Sequence, residues 1–278
     1  MSAGTITIGG DLVVNRMGFG AMRLCGAGIW GDPDDPDNAR AVLRRAVELG
    51  VQLIDTADAY GPDVNERQVA EALHPYPEGV VIATKGSGTR PSREQWDVDG
   101  SPEHLREACE ASLEHLRLER IDLYQLHGPD PNIPIEESVG ALAELQREGK
   151  IRHIGVSNVD DEELARARSV APIVSVQNEY NVANRTSESV LRRCERDGLA
   201  FLPYFPIGAG WRAATPSDSL DHIAEKHGAT RHQVALAWLL DHSPVTLPIP
   251  GTSSLAHLEE NVAAASLELD DDDLAALG

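Results

Sequence analysis

The chain has 278 residues, 41% of them apolar and 25% charged, a composition that supports a large folded core. Its 24 basic and 45 acidic residues give a formal net charge of -21, which excludes nucleic acid and anionic membrane surfaces, since both need clustered Lys and Arg. The acid excess speaks to solubility rather than to fold.

Taken in chain order, TITIGGDLVV at the start predicts a short β-hairpin turning at Gly9-Gly10, placed as a lid on the bottom of a barrel. A first barrel strand is expected over 14–22 (VNRMGFGAM). Residues 38–49 have helical spacing and bury Ala39, Val42, Leu43, Ala46 and Val47. Further strands are expected at 52–58 (QLIDTAD), 80–86 (VVIATKG), 121–127 (IDLYQLH), 153–158 (HIGVSN), 173–180 (IVSVQNEY), 199–206 (LAFLPYFP) and 245–251 (VTLPIPG). Ser101-Pro102-Glu103 opens a helix over 104–116, and Thr230 with Gln233 forms a capping box ahead of VALAWLL. The acids from Asp270 to Asp273 read as the first turn of a last helix.

Eight strands alternating with helices, without a break in composition, predict an α/β fold: one (β/α)8 TIM barrel occupying residues 1–278 as a single domain. A dinucleotide-binding doubly wound sheet is disfavoured, because Gly18 and Gly20 lack a third glycine at the required spacing. Two long loops, 86–100 and 206–219, follow the Lys85 strand and the seventh strand, and each carries a Trp. Loops of that length are more often functional than decorative, although each Trp can equally cover the apolar underside of its own loop.

Four residues stand at or just beyond the ends of apolar runs: Asp55 and Tyr60 in LIDTADAY, Lys85 in VVIATK and His127 in DLYQLH. A free Tyr hydroxyl, with a pKa near 10, is a poor acid at neutral pH. An adjacent ammonium favours the phenolate, a carboxylate keeps the ammonium charged, and an imidazole offers a second donor to the same oxygen. The set suits protonation of a carbonyl oxygen as hydride reaches the carbon. Any one of these residues alone would pass as a cap or a satisfied core group; four at successive strand ends do not.

LIDTADAYG, VVIATK, LYQLHGPDP, GKIRHIGVSN, VQNEYN and IPGTSSLAHLEEN together resemble the aldo-keto reductase family. Within it the chain is similar to a bacterial branch that includes pyridoxal reductases. The resemblance runs from Val14 to about Leu269, with the motifs in the family's order. It implies Tyr60 as proton donor, Lys85 and Asp55 as the pair that tunes it, and His127 as the residue orienting the carbonyl. It implies that Ser157, Asn158 and Gln177 bond a nicotinamide carboxamide, and that Tyr204 stacks on the ring. Gln177 also stands in an otherwise apolar strand, where a buried amide needs partners of some kind.

Phe205 departs from the small polar residue usual next to that aromatic, which leaves backbone donors at Ile207 and Gly208 for a pyrophosphate. Thr252, Ser253 and Ser254 open a helix, a site for an anion. Gly251 and His257 replace the Lys and Arg that in many members flank the 2′-phosphate; Glu260 and Asn261 match residues near the adenine. The hydroxyls of Thr252, Ser253 and Ser254 can still bond that phosphate, so NADPH is the expected cofactor, with a smaller margin over NADH than a Lys/Arg pair would give. Met22, Trp30, Trp96 and Trp211 are candidates for the substrate pocket, and the substrate is expected to be a small carbonyl compound, aromatic ones such as pyridoxal included.

The competing expectations are a cofactor-binding sensor or regulatory subunit on the same barrel, against which an intact tetrad argues, and a Schiff-base aldolase. The aldolase would need a neutral Lys85, which Asp55 opposes. Cys25, Cys109 and Cys194 form no C-x-x-C pair, so neither a disulfide framework nor a metal site is expected. No signal peptide or apolar span is legible, so a cytoplasmic location is expected, and a monomer is expected because no exposed apolar helix stripe is left over.

Overall fold

The computed structural model describes residues 3–208 and 218–278. The expected Trp211 pocket position lies outside the described residues. The chain opens with an antiparallel hairpin, β1 (Thr5–Ile8) and β2 (Leu12–Asn15), with Ile8 opposite Leu12. Gly9 and Gly10 supply the positive φ angles of the turn, 63° and 87°.

There follow β3 (Phe19–Gly20), a 3₁₀ turn (Ala21–Leu24), α1 (Pro36–Glu48), β4 (Leu53–Asp55), α2 (Val64–Leu73) and β5 (Val81–Gly86). A small ribbon inside the first long loop, β6 (Gly88–Thr89) with β7 (Asp97–Val98), precedes α3 (Pro102–Leu116) and β8 (Ile121–Leu126). No run of apolar residues signals that ribbon in advance. Next come α4 (Ile135–Arg147), β9 (Ile151–Ser157), α5 (Asp161–Val170), β10 (Ile173–Gln177), α6 (Glu188–Asp197) and β11 (Ala200–Phe201). The chain finishes with α7 (Asp218–His227), α8 (Arg231–His242), α9 (Leu255–Ala263) and α10 (Asp271–Leu277).

The caps explain several of these boundaries. Ser101 accepts a hydrogen bond from the His104 amide ahead of Pro102, and the Thr230–Gln233 and Asp270–Asp273 boxes both form. Among the described residues no helix is long and apolar enough to cross a membrane.

The sheet order β11-β10-β9-β8-β5-β4-β3 is parallel throughout and curls into the (β/α)8 barrel. Helices cover its outside: α4 buries Ile135, Val139, Leu142 and Leu145 against β8 and β9, each such side chain contributing about 1.5–3 kcal/mol. The hairpin closes the bottom, where Ile8, Leu12 and Val14 pack on Leu53, Val81, Leu202 and Leu247. At its tip the Asp11 carboxylate accepts from Arg152 at 2.7 Å and meets His153 at 2.6 Å, both at the start of β9.

Three expected strands differ from those observed; of residues 199–206 only Ala200 and Phe201 form a regular strand. Of residues 14–22, Val14 and Asn15 belong to the hairpin, and only Phe19 and Gly20 run in the barrel. Residues 245–251 complete the barrel as an extended seam rather than a regular strand. On one side Phe201 donates to the Val245 carbonyl and Leu247 donates to Phe201 (both 2.8 Å). On the other, Gly18 and Gly20 donate to the carbonyls of Pro248 (2.9 Å) and Pro250 (3.4 Å). Pro248 and Pro250 have no N–H to return, so that side of the ladder is half-bonded.

Candidate active site

Parallel strands buried on both faces deliver their last residues to one rim, and the four acid/base residues meet there. Asp55 ends β4, Lys85 is the penultimate residue of β5, and His127 follows β8. Lys85 is fully buried, and its Nζ donates to Asp55 Oδ2 at 2.7 Å, to the Thr56 carbonyl at 2.8 Å and to Tyr60 Oη at 3.4 Å. The other Asp55 oxygen accepts from the amides of Gln177 (2.8 Å) and Gln125 (3.3 Å). Thr56 is itself anchored: its hydroxyl donates to Asn65 Oδ1 at 2.8 Å, and Asn65 donates to the Ala21 carbonyl at 3.0 Å.

The electrostatics follow from burial opposed by charge. Burial pulls the Lys85 ammonium down, but Asp55 and then Tyr60 outweigh it and hold the pKa above its ordinary value. Lys85 therefore stays protonated, unfit for Schiff-base chemistry. Burial pushes the Tyr60 phenol up; Lys85, by charge and hydrogen bond, pulls the other way without overcoming it. The expectation of a lowered Tyr60 pKa is corrected to this extent: the ammonium offsets a desolvation that would otherwise be larger.

His127 lies edge-on to Tyr60, with ring centroids 5.7 Å apart. Its Nδ1 is enclosed and, among the described residues, has no hydrogen-bond partner; a Cβ on Gly88 would come within 2.6 Å of it. Enclosure, helped by the Lys85 charge, lowers the His127 pKa to about 3, so the imidazole is neutral at ordinary pH.

The residues expected at a nicotinamide lie along the same rim and bond one another. Ser157 Oγ donates to the Gln177 carbonyl at 2.6 Å. Asn158, left-handed at φ 58°, donates through Nδ2 to the His127 carbonyl at 2.8 Å and accepts from Tyr204 Oη at 2.7 Å. The side-chain amide of Gln177 is turned inward to Asp55, a hydrogen bond internal to the barrel. Tyr204 is half-buried, and burial raises its hydroxyl to about 12, so it stays neutral.

Beyond it, Phe205 is left-handed at φ 46°, and its carbonyl accepts from Gly208 N at 2.8 Å and from Asn181 at 3.1 Å. The expected backbone donor at Gly208 is thus spent within its own turn. Ile207 packs its side chain against the cluster of Met17 and Leu236.

At the start of α9, Ser254 caps the helix by accepting from His257 N, and Thr252 accepts from Ser254 N at 3.1 Å. The first turn carries no acid, and Ser253 and His257 are exposed. Gly251 has a steric reason: a Cβ there would sit 2.5 Å from the Gly20 carbonyl. Glu260 is tied to the preceding helix, accepting from Thr230 Oγ1 at 2.5 Å, and Asn261 is buried.

Of the pocket candidates, Trp96 is edge-on to Tyr60 at 6.4 Å. Trp30 bridges to Gly61 on the Tyr60 loop, and Met22 lies in the 3₁₀ turn after β3. Sequence reasoning missed Thr56, Gln125 and Arg90. Gln125 had a signal, since it breaks an apolar strand just as Gln177 does, and it pairs with Lys85 in register. Among the described residues no group of His, Cys, Asp and Glu is placed to hold a metal ion.

The model of the Aldo/keto reductase family matches residues 16–278. An uncharacterized oxidoreductase of Schizosaccharomyces pombe is 46% identical over 96% of this chain and 86% of its own length. Pyridoxine 4-dehydrogenase of Escherichia coli is 44% identical over 100% of this chain and 98% of its own. A crystal structure of an aldo-keto reductase from Klebsiella pneumoniae in complex with NADPH superimposes with a TM-score of 0.84 at 29% identity, covering 100% of this chain and 94% of that one.

Proposed function

The chain belongs to the aldo/keto reductase family, and from that premise we propose that it reduces small aldehydes and ketones with NADPH, planar aromatic carbonyls among them. The observation that carries the proposal is the three-way contact of Lys85 Nζ with Asp55, Thr56 and Tyr60 at the barrel mouth. A binding protein has no use for a buried ammonium beside a phenol.

The rim residues fit a dinucleotide: the Tyr204 ring is half-open beside Asn158, and the acid-free start of α9 offers hydroxyls and free N–H groups to phosphate. The NADPH held by the Klebsiella relative supports the choice of cofactor. When bound, NADPH supplies the hydride that reaches the carbonyl carbon. Tyr60 Oη gives its proton to the carbonyl oxygen, and Lys85 stabilises the phenolate left behind. Asp55, fixed by two amides, keeps Lys85 charged and aimed. With Nδ1 enclosed, neutral His127 reaches the carbonyl oxygen through Nε2–H and orients it.

Gly251 brings no charge to a 2′-phosphate, so the preference for NADPH over NADH rests on the hydroxyls of Thr252, Ser253 and Ser254 and is modest. The name of the Escherichia coli relative favours pyridoxal-like aldehydes within the substrate range. The protein is proposed to act as a cytoplasmic monomer.

Loss of NADPH absorbance in the presence of an aldehyde panel tests the proposal. Tyr60→Phe should cut turnover by roughly 10²–10⁴ while cofactor binding is retained. Undiminished turnover in that variant refutes the role of Tyr60; cofactor binding without turnover of any carbonyl would point to a sensor subunit instead.

A further inference from the structure

Within the first long loop Arg90 is only 8% exposed. Its hydrogen bonds all go to backbone carbonyls, and they join two loops. Nη1 donates to Ile29 at 2.9 Å and Nη2 to Gly28 at 3.2 Å on the loop after β3. Nη2 also donates to Arg93 at 2.6 Å, and Nε to Gln95 at 3.2 Å, on its own loop. The guanidinium carbon lies 3.9 Å from the centre of the Trp96 ring and 5.4 Å from that of Trp30.

Among the described residues Arg90 has no carboxylate partner, in a chain with 45 acids. The loss of its hydration is offset by ring faces and carbonyls, with the charge of nearby Glu94 adding to them at longer range. Ile29 is held at φ 57°, a conformation β-branched residues avoid, with its carbonyl gripped by both Arg90 and the Gly61 amide. The loop is clamped in a shape it would not take by itself. The side chain that the clamp presents is Trp96, 46% exposed, backed on one face by Arg90 and edge-on to Tyr60.

We infer that Arg90 is a positioning residue for substrate, building from Trp96 a stacking platform beside Tyr60 that favours planar aromatic carbonyls over short aliphatic ones. The inference rests on the reductase reading above. A planar guanidinium is required, because it can stack on a ring while its edge serves several carbonyls; an ammonium has the charge but neither the plane nor the fork. Arg90 acts through Trp96, so its influence on substrate preference must vanish when Trp96 is gone. Any effect transmitted through Gly61 to Tyr60 is common to all substrates and cancels in a ratio.

The test is a double-mutant cycle on the holoenzyme, reading kcat/KM for benzaldehyde divided by kcat/KM for propanal, with NADPH. Arg90→Lys and Trp96→Ala should each lower that ratio by roughly three- to tenfold, mainly through the KM for benzaldehyde. The double variant should match Trp96→Ala alone. The inference is overturned by an unchanged ratio in Arg90→Lys, or by an Arg90→Lys effect of equal size in the Trp96→Ala background. Should Arg90→Lys fail to fold, Trp96→Ala, which alters an exposed side chain, still decides: an unchanged ratio there overturns the platform. Wild-type protein active on both aldehydes without preference removes the platform but leaves the reductase standing; protein active on neither removes the reductase reading itself.

Discussion

Lys85→Met tests the buried pair at the centre of the site. Met keeps much of the length of Lys but none of its charge, and the Lys85 and Asp55 side chains are 0% and 3% exposed. Asp55 would keep the amides of Gln177 and Gln125 on Oδ1 and lose the 2.7 Å contact on Oδ2. Stranding one member of a buried ion pair costs about 3–5 kcal/mol. At roughly 2 °C per kcal/mol for a chain of this size, the unfolding temperature should fall by about 6–10 °C.

Adding Asp55→Asn removes the stranded charge while leaving an oxygen for the two amides, so the double variant should recover at least half of that loss. Turnover should not recover, because both variants lack the ammonium beside Tyr60, and a loss of roughly 10²–10⁴ is expected in each. Thermal unfolding followed by circular dichroism, alongside NADPH oxidation, reads both effects. A single variant as stable as wild type, or a double variant no more stable than the single, would refute the reasoning.

Four further outcomes are expected. The folded-state pKa of His127, about 3, lies below its ordinary 6.5, so the unfolded chain binds more protons between those values. Stability from this group is present above about pH 6.5 and is lost as pH falls toward about 3; denaturant melts at about pH 7 and about pH 4.5 should show a smaller acid loss in His127→Gln. Gly88→Ala, whose Cβ would sit 2.6 Å from His127 Nδ1, should displace the imidazole and lower kcat by about tenfold or more, with the NADPH Kd unchanged. At the cofactor end, His257→Arg should raise the NADPH/NADH ratio of kcat/KM several-fold, roughly three- to tenfold at low salt and less as salt rises. Gly251→Lys should fail to do so and should weaken binding of both cofactors, because its Cβ meets the Gly20 carbonyl at 2.5 Å.

The barrel and the tetrad were legible because parallel strands buried on both faces spell unbroken apolar runs, and a polar residue ending such a run has few structural excuses. Asp55, Lys85 and His127 announce themselves in that way, and the caps at Ser101, Thr230 and Asp270 mark helix starts by local chemistry alone. The features that escaped depend on distant partners. The inward turn of Gln177 is set by Asp55, 122 residues away. Arg90 looks like any loop arginine until two rings and four carbonyls close around it. Gly251 reads as a missing charge, whereas the fold makes it a clearance for Gly20. The eighth strand was placed correctly along the chain, but its two prolines deny it a full ladder.

That seam carries a consequence for how the barrel breathes. The join between β3 and residues 245–250 has two backbone rungs, both donated by glycines, with the Arg16 side chain reaching Thr246 beside them. The same join runs directly into Gly251 and the start of α9, where the nucleotide is proposed to sit. A dinucleotide lying across it would act as a staple, so that loading the cofactor and locking the cylinder shut become one event.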